Sequence, residues 1–116
     1  MPKRLPAIFF RSERGREPVR DFLKAMPVGD RQAVGRGIAR VEFGWPIGMP
    51  AARSLGGGLH EVRVDLGGNR TIRVLFYVSD GGRMVLLHAL VKKTRKTPPA
   101  DLVLAQERMA AHRREN

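Results

Sequence analysis

The stretch that decides the fold is residues 59–91, LHEVRVDLGGNRTIRVLFYVSDGGRMVLLHALV. It contains three apolar segments separated by turn residues, which is the pattern of consecutive β-hairpins. The predicted strands are 59–66, 70–78 and 83–91, and the predicted turns are 67–69 and 79–82. Since side chains alternate between the two faces of a strand, the pairing register decides which of them lie together.

The first hairpin has one register that keeps apolar side chains together. A three-residue loop over 67–69 sets Val62 opposite Val74, whereas a two-residue turn sets Val62 opposite Arg73 and mixes the faces. The three-residue loop is therefore favoured. In that register Arg63 lies directly opposite Arg73.

The second hairpin is predicted in the same way. A two-residue turn and a four-residue loop within 79–82 give the same register. That register sets Val74 opposite Leu87 and Arg73 opposite His88. The last two strands are thus expected to share an apolar face, with Arg73 and His88 on the reverse side.

The two registers together predict a cationic row across the sheet. The row is Arg63, Arg73 and His88, with Glu61 one pleat away and Lys92 beyond the last strand. Like charges opposite one another destabilise a sheet, so the row predicts a bound anion such as phosphate, which guanidinium groups bind in a forked geometry. The alternative is that each arginine pairs with a nearby carboxylate.

A basic run leaves the last strand beside this row. Residues 92–96, KKTRK, carry four cations in five positions. Such a run can be a solvated loop or a set of lysines that keeps a sheet edge from aggregating. Its position next to the cationic row favours nucleic acid instead, and the additional RNA contacts expected are Arg70, Arg95 and Lys96.

The remaining sequence predicts helices around the sheet. The expected elements are a first strand at 6–11, a short helix opening at Glu17-Pro18, a second helix from Asp30 to about Phe43, and a final helix at about 99–113. Asp30 is the expected N-cap of the second helix, which Gly35 and Gly37 weaken. Residues 44–58, rich in Gly and Pro, are expected to be irregular but packed.

These elements predict an α+β fold. It consists of a compact antiparallel sheet of about four strands packed by two N-terminal helices and a C-terminal helix, in one domain of residues 1–116. The chain has a formal net charge of +11 and no cysteine. The charge favours a polyanionic partner, and the lack of cysteine excludes disulfides and thiolate sites and fits the cytoplasm. No signal peptide or membrane span is expected.

Two residues of this face are candidates for proton transfer to and from RNA. Cleavage by the 2′-hydroxyl requires a base, an acid for the leaving oxygen, and cations that stabilise the phosphorane. His88 can act as acid or base because histidine titrates near neutral pH, and Glu61 is the other candidate base. The alternatives are a core histidine with a satisfied hydrogen bond and a surface ion pair of Glu61 with an arginine.

The cations of the same region complete the predicted chemistry. Arg63 and Arg73 would stabilise developing negative charge, since arginine stays protonated. Lys92 or Lys93 could act as acid, since neighbouring positive charges lower the pKa of a lysine. No cofactor is required, and no His, Asp or Glu spacing is that of a metal site.

Three segments carry a resemblance to a known family. They are GLHEVR at 58–63, RVLFY at 73–77 and LLHALVKKTRKTP at 86–98, and PVRDFL at 18–23 agrees with them. The chain resembles, over nearly its whole length, the HigB-like, phage-derived branch of the RelE/ParE toxin superfamily. It departs from the family in having Ile72 where tyrosine usually precedes the strand arginine, and in lacking an evident match to an aromatic residue near the C-terminal end.

The resemblance implies a toxin of a type II toxin–antitoxin system. It implies a metal-independent endoribonuclease that cleaves mRNA on the ribosome, with an active site on the concave face of the sheet. It also implies a cognate antitoxin, usually a helix-turn-helix DNA-binding protein. In this family Arg63 and Arg73 match the strand arginines, and Lys92, Lys93 and Lys96 match the basic string.

Three rival functions remain open from the sequence. One is a gyrase inhibitor of the ParE side of the superfamily, another is a non-catalytic nucleic-acid-binding module, and the third is a helix-turn-helix over residues 17–43. ParE-like proteins generally lack the constellation of Arg63, Arg73 and Lys92. That constellation therefore favours the ribonuclease.

Overall fold

The computed structural model describes residues 2–115, in which three helices and five strands are present. In chain order they are β1 (Ala7–Phe9), α1 (Pro18–Lys24), α2 (Val28–Gly44), β2 (Ala52–Gly56), β3 (Leu59–Asp65), β4 (Thr71–Val78), β5 (Met84–Val91) and α3 (Pro99–Glu115). This is the α+β class that the sequence predicts. The ends of the predicted domain, Met1 and Asn116, lie outside the described residues. Among residues 2–115, no helix has the length and apolar character needed to cross a membrane.

All five strands form one sheet, in the order β1-β5-β4-β3-β2. The prediction of about four antiparallel strands is wrong in two respects. The first is that β1 pairs with β5 in parallel, and the second is that β2 lies within the stretch 44–58 that was expected to be irregular. The β2 sequence, ARSLG, has no β-branched residue, and it takes a strand conformation because β3 supplies its hydrogen-bond partners.

The predicted register of the β3–β4 hairpin is confirmed. Val62 pairs with Val74, and Arg63 pairs with Arg73. The loop Gly67–Asn69 turns with positive φ at Gly68 (70°) and Asn69 (60°), a conformation that glycine and asparagine adopt at low cost.

The predicted register of the β4–β5 hairpin is wrong by one residue near the turn, where Phe76 pairs with Leu86, and by two residues beyond the bulge. Arg73 pairs with Leu90 rather than His88, and His88 lies opposite Leu75. One residue of this shift comes from the turn, which spans 79–83 rather than 79–82. The other comes from a β-bulge at Leu87, the residue of β5 that has no partner on β4. One extra residue would turn a strand over, but two restore the original face for His88.

The sheet is covered on both faces. One face packs Val62, Val74, Phe76 and Leu86 against α1 and α2, and the other packs Leu59, Leu75, Tyr77 and Leu87 against α3. Helix α3 is fixed near its end by a hydrogen bond between the Tyr77 hydroxyl and His112, and by the Arg113 guanidinium 5.1 Å from the Tyr77 ring centroid. Arg63, Arg73 and His88 therefore share the face that α3 covers.

Helix α2 begins and packs differently from the prediction. Its N-cap residue is Pro27, with no side-chain capping hydrogen bond, and the Asp30 carboxylate instead binds Arg70. Gly37 has a packing role, since a Cβ there would lie 2.5 Å from the Val64 Cγ2 atom. The glycine that weakens the isolated helix thus lets α2 approach β3 closely.

Candidate active site

The two arginines that face each other on β3 and β4 have different environments. The Arg63 side chain is 48% exposed and lies 3.6 Å from the Asp65 carboxylate, whereas the Arg73 side chain is only 2% exposed. They meet at the end of the sheet where the basic segment leaves β5. One of the pair is thus available to a ligand, and the other is enclosed by protein.

Buried polar contacts connect Arg73 to the segment before α3. Its Nη1 donates a 2.7 Å hydrogen bond to the Thr97 hydroxyl, and its Nη2 donates a 2.5 Å hydrogen bond to the Arg95 carbonyl. Thr97 in turn donates to the Glu61 carboxylate at 3.3 Å. Since buried charge-assisted bonds of this kind are strong, Arg73 holds residues 95–97 against the sheet.

Glu61 completes this network from β3. Its carboxylate lies 3.7 Å from Arg73 Nε and 3.0 Å from the Arg53 guanidinium, and its side chain is 3% exposed. Arg73 Nε has no hydrogen-bond partner among residues 2–115, so the Arg73–Glu61 contact at Nε is electrostatic. The network contains the Arg73–Glu61 ion pair that was the alternative to a catalytic role, although it lies in the interior rather than on the surface.

His88 lies on the predicted face but is engaged by α3. Its Nε2 is 2.6 Å from the Asp101 carboxylate, and its Nδ1 is 3.3 Å from Arg108 Nη1. Because a guanidinium only donates, Nδ1 accepts and Nε2–H donates to Asp101. Both ring nitrogens of His88 thus contact side chains of α3. Arg108 also donates to the Leu87 carbonyl at 2.8 Å, which adds a third contact between α3 and β5. A role of His88 in proton transfer stays a prediction.

Lys92 stands beside the arginine pair. Its backbone N–H donates to the Thr71 carbonyl at 2.7 Å, which extends the β4–β5 ladder and sets the direction in which the basic segment leaves the sheet. Partial loss of hydration, and then the positive charges of Arg63 and Arg73, lower the pKa of the Lys92 ammonium below its ordinary 10.5. Lys93, Arg95 and Lys96 follow it as exposed side chains.

Arg70, an expected RNA contact, has a structural partner. Its guanidinium binds the Asp30 carboxylate with hydrogen bonds of 2.8 and 3.3 Å, and its Nε donates to the Gly67 carbonyl at 3.0 Å. The hydrogen bond to Asp30, and then its negative charge, raise the pKa of Arg70. The pair fastens the β3–β4 turn to α2, and an RNA contact by Arg70 stays a prediction.

Sequence reasoning missed four residues of this region: Arg53, Thr97, Asp101 and Arg108. Thr97 and Asp101 are close in sequence to the basic run, and the threonine before Pro98-Pro99 was a usable signal. Arg53 lies on the strand that was not predicted. Arg108 is about two helical turns beyond Asp101, and its contact with His88 depends on how α3 crosses the sheet. Within residues 2–115, no group of three or more His, Asp or Glu side chains is arranged to hold a metal ion.

The fold and these contacts define a class of protein: a small basic α+β domain with a cationic surface at one end of its sheet. A family model described as phage derived protein Gp49-like (DUF891) matches residues 21–110. The chain therefore belongs to the Gp49-like family, which lies within the RelE/HigB-like toxin superfamily and is associated with toxins of toxin–antitoxin systems. Membership in a toxin family implies a cognate antitoxin. No curated protein matches the chain significantly.

Proposed function

We propose that this protein is a toxin that cleaves mRNA without a metal ion, on the ribosome in the cytoplasm, and that a helix-turn-helix DNA-binding antitoxin neutralises it. The observation that carries the proposal is the exposed Arg63 guanidinium beside the enclosed Arg73 and the Lys92 ammonium. Three cations meet there at the end of one sheet; of the two carboxylates beside them, Asp65 is exposed 3.6 Å from Arg63, and Glu61 is buried and shared between Arg73 and Arg53. A phosphodiester supplies the negative charge that such a cluster lacks.

The proposed reaction is attack of a 2′-hydroxyl on the adjacent phosphorus. The new P–O2′ bond forms as the P–O5′ bond breaks, which leaves a 2′,3′-cyclic phosphate and a free 5′-hydroxyl. Arg63 binds the phosphate oxygens and stabilises the charge of the phosphorane. Lys92, with its lowered pKa, gives a proton to the leaving O5′, and the proton of the 2′-hydroxyl passes to solvent.

The other candidate residues have supporting roles in this proposal. Arg73 and Glu61 shape the basic segment through Thr97, and their burial favours positioning over direct contact with RNA. His88 positions α3 through Asp101. Lys93, Arg95 and Lys96 are exposed and contact the RNA backbone.

The test compares two arginines in similar surroundings. Arg63 is 48% exposed with a carboxylate at 3.6 Å, and Arg20 on α1 is 51% exposed with the Glu17 carboxylate at 3.4 Å. Arg63→Ala should lower the single-turnover rate of mRNA cleavage on ribosomes by roughly 100-fold, as loss of a transition-state donor does. Arg20→Ala should leave that rate unchanged.

The same two variants should also differ in toxicity when they are expressed in cells. Induction of the wild-type chain should arrest growth and create new 5′ ends in translated transcripts, and Arg63→Ala should do neither. Growth arrest without new transcript ends, accompanied by loss of DNA supercoiling activity in a gyrase assay, would instead assign the protein to the gyrase inhibitors.

A further inference from the structure

A cleft of about 490 Å³ lies between the outer edge of β3 and helix α2. Four arginines line it: Arg36 and Arg40 of α2, Arg53 of β2 and Arg63 of β3. The cleft exists because β2 pairs with β3 only as far as Ala52 opposite Val62. Beyond that pair, within residues 2–115, no strand covers the outer edge of β3.

The charge in this cleft is not balanced by its own side chains. The two carboxylates in its wall are already paired, Glu61 with Arg53 at 3.0 Å and Asp65 with Arg63 at 3.6 Å. Arg36 and Arg40 form no side-chain hydrogen bond or ion pair with any residue in 2–115. Two like charges at i and i+4 on a helix destabilise it slightly, so the pair implies a function outside the fold.

The close packing of α2 fixes where these arginines stand. Gly37 has no room for a Cβ, since Val64 Cγ2 would be 2.5 Å away, and the backbone of α2 therefore lies directly against β3. Arg36 and Arg40 flank that contact point. Both arginines line the cleft together with Arg63 and Asp65 of β3.

We propose that this cleft binds the phosphate backbone of single-stranded RNA, as a second site beside the one at which cleavage is proposed. Arg63 belongs to both, because its side chain lines the cleft and lies in the arginine pair. A strand whose scissile phosphate sits at Arg63 can continue along the β3 edge and place a neighbouring phosphate between Arg36 and Arg40. The inference rests on the proposed function for the identity of the ligand as RNA.

An acidic polypeptide is the alternative ligand, and the structure favours RNA over it. The apolar residues of the cleft wall are mostly small, namely Ala33, Pro50, Ala52 and Val64, and Met49 is the one long apolar side chain among them. A peptide segment usually anchors itself by burying apolar side chains, whereas a phosphate backbone needs only forked cationic donors. Continuity with the cleavage site through Arg63 adds to this preference.

The experiment measures binding of an RNA that cannot be cleaved. The probe is a 12-nucleotide single-stranded 2′-O-methyl RNA, titrated at several salt concentrations with the full chain. Arg36→Ala/Arg40→Ala is compared with Arg83→Ala/Arg114→Ala, which removes the same charge from exposed positions outside the cleft. Arg36→Gln/Arg40→Gln keeps most of the side-chain length and is the second variant if the alanine protein unfolds.

The cleft variant should lose about tenfold or more in affinity, since each charge-assisted contact contributes substantially. Its dependence of log affinity on log salt should become shallower by about 1.4, the value for two phosphate contacts on a single strand. The control variant should keep the slope of the wild type, with only a small loss of affinity.

Several results would overturn the inference. They are equal losses in both double variants, no binding of the probe by the wild-type chain at low salt, or a cleft variant that binds RNA normally but no longer binds an acidic polypeptide such as its antitoxin. Failure of the proposed function looks different, because a wild-type chain that binds the probe through the cleft but cuts no RNA would refute cleavage alone.

Discussion

Arg73 on β4, the central strand of the sheet, donates a 2.7 Å hydrogen bond to Thr97, the residue two positions before α3 begins. This bond joins the sheet to the end of the basic segment. Glu61 accepts from the same threonine, and both charged side chains are almost fully enclosed. The segment that carries Lys92 to Lys96 is therefore held at both ends, by the Lys92 backbone on β4 and by Thr97 on Arg73.

The paired arginines of β3 and β4 should differ sharply in their effect on stability. Arg73→Ala removes a buried guanidinium and its bonds to Thr97 and Arg95, leaves Glu61 with Arg53 as its charged partner, and should lower the free energy of unfolding by roughly 3–5 kcal/mol. Arg63→Ala, at an exposed position, should change it by less than about 0.5 kcal/mol. Urea denaturation at neutral pH measures both values. Similar losses in the two variants would show that Arg73 is not the enclosed partner of Glu61.

The two glycines of α2 should respond in opposite directions to alanine. At Gly35 a Cβ meets nothing within 4 Å, so Gly35→Ala should stabilise the protein by about 0.5–1 kcal/mol through helix propensity. At Gly37 the Cβ meets Val64 at 2.5 Å, so Gly37→Ala should destabilise it by about 1–3 kcal/mol. Thermal denaturation of the two variants gives the comparison. A stabilising Gly37→Ala would contradict the close approach of α2 to β3.

Lys92 should titrate below the ordinary lysine value of 10.5. Loss of hydration and the charges of Arg63 and Arg73 disfavour its ammonium form, so it loses its proton at a lower pH than a free lysine. Since the proposed acid works when protonated, the cleavage rate should fall as pH rises through this lowered pKa. A ¹³C NMR titration of labelled lysine, assigned with Lys92→Arg, measures it directly.

The contribution of Arg63 to that pKa can be isolated. Arg63→Gln removes one positive charge and should raise the pKa of Lys92, whereas Arg20→Gln on α1 should leave it where it is. If Lys92 titrates at or above 10.5 in the wild-type chain, or if Arg63→Gln lowers its pKa, the cationic cluster is not formed in solution as described.

His88 and Asp101 should act as one unit that holds the start of α3. His88→Ala and Asp101→Ala should each speed amide hydrogen exchange over residues 99–105, and the double variant should add little, because each single change already breaks the 2.6 Å contact. Cleavage should fall to a similar extent in both single variants. Loss of cleavage in His88→Ala alone, with exchange unchanged, would show instead that His88 transfers protons.

The sequence by itself determined the α+β class, the β3–β4 hairpin and the basic segment after β5. It determined the hairpin because only one loop length places Val62 opposite Val74, and this choice also sets Arg63 opposite Arg73. The helices followed from apolar periodicity and from Pro18 and Pro99 at their starts. These are local properties, which neighbouring residues fix without reference to the rest of the chain.

Only the tertiary structure decided the register of β5, the existence of β2 and the burial of Arg73. Both faces of β4 and β5 are apolar because helices cover the sheet on both sides. The alternation of apolar and polar residues therefore does not show which side chains of β5 face which helix. The bulge at Leu87 decides this, because it turns the rest of β5 over. Strand β2 forms only because β3 pairs with it. Arg73 is buried because two distant residues pack against it. Thr97 lies 24 residues later in the chain, and Glu61 lies 12 residues earlier. Contacts between distant parts of the chain produce no periodic pattern in the sequence, unlike helices and strands, so they cannot be found by looking for one.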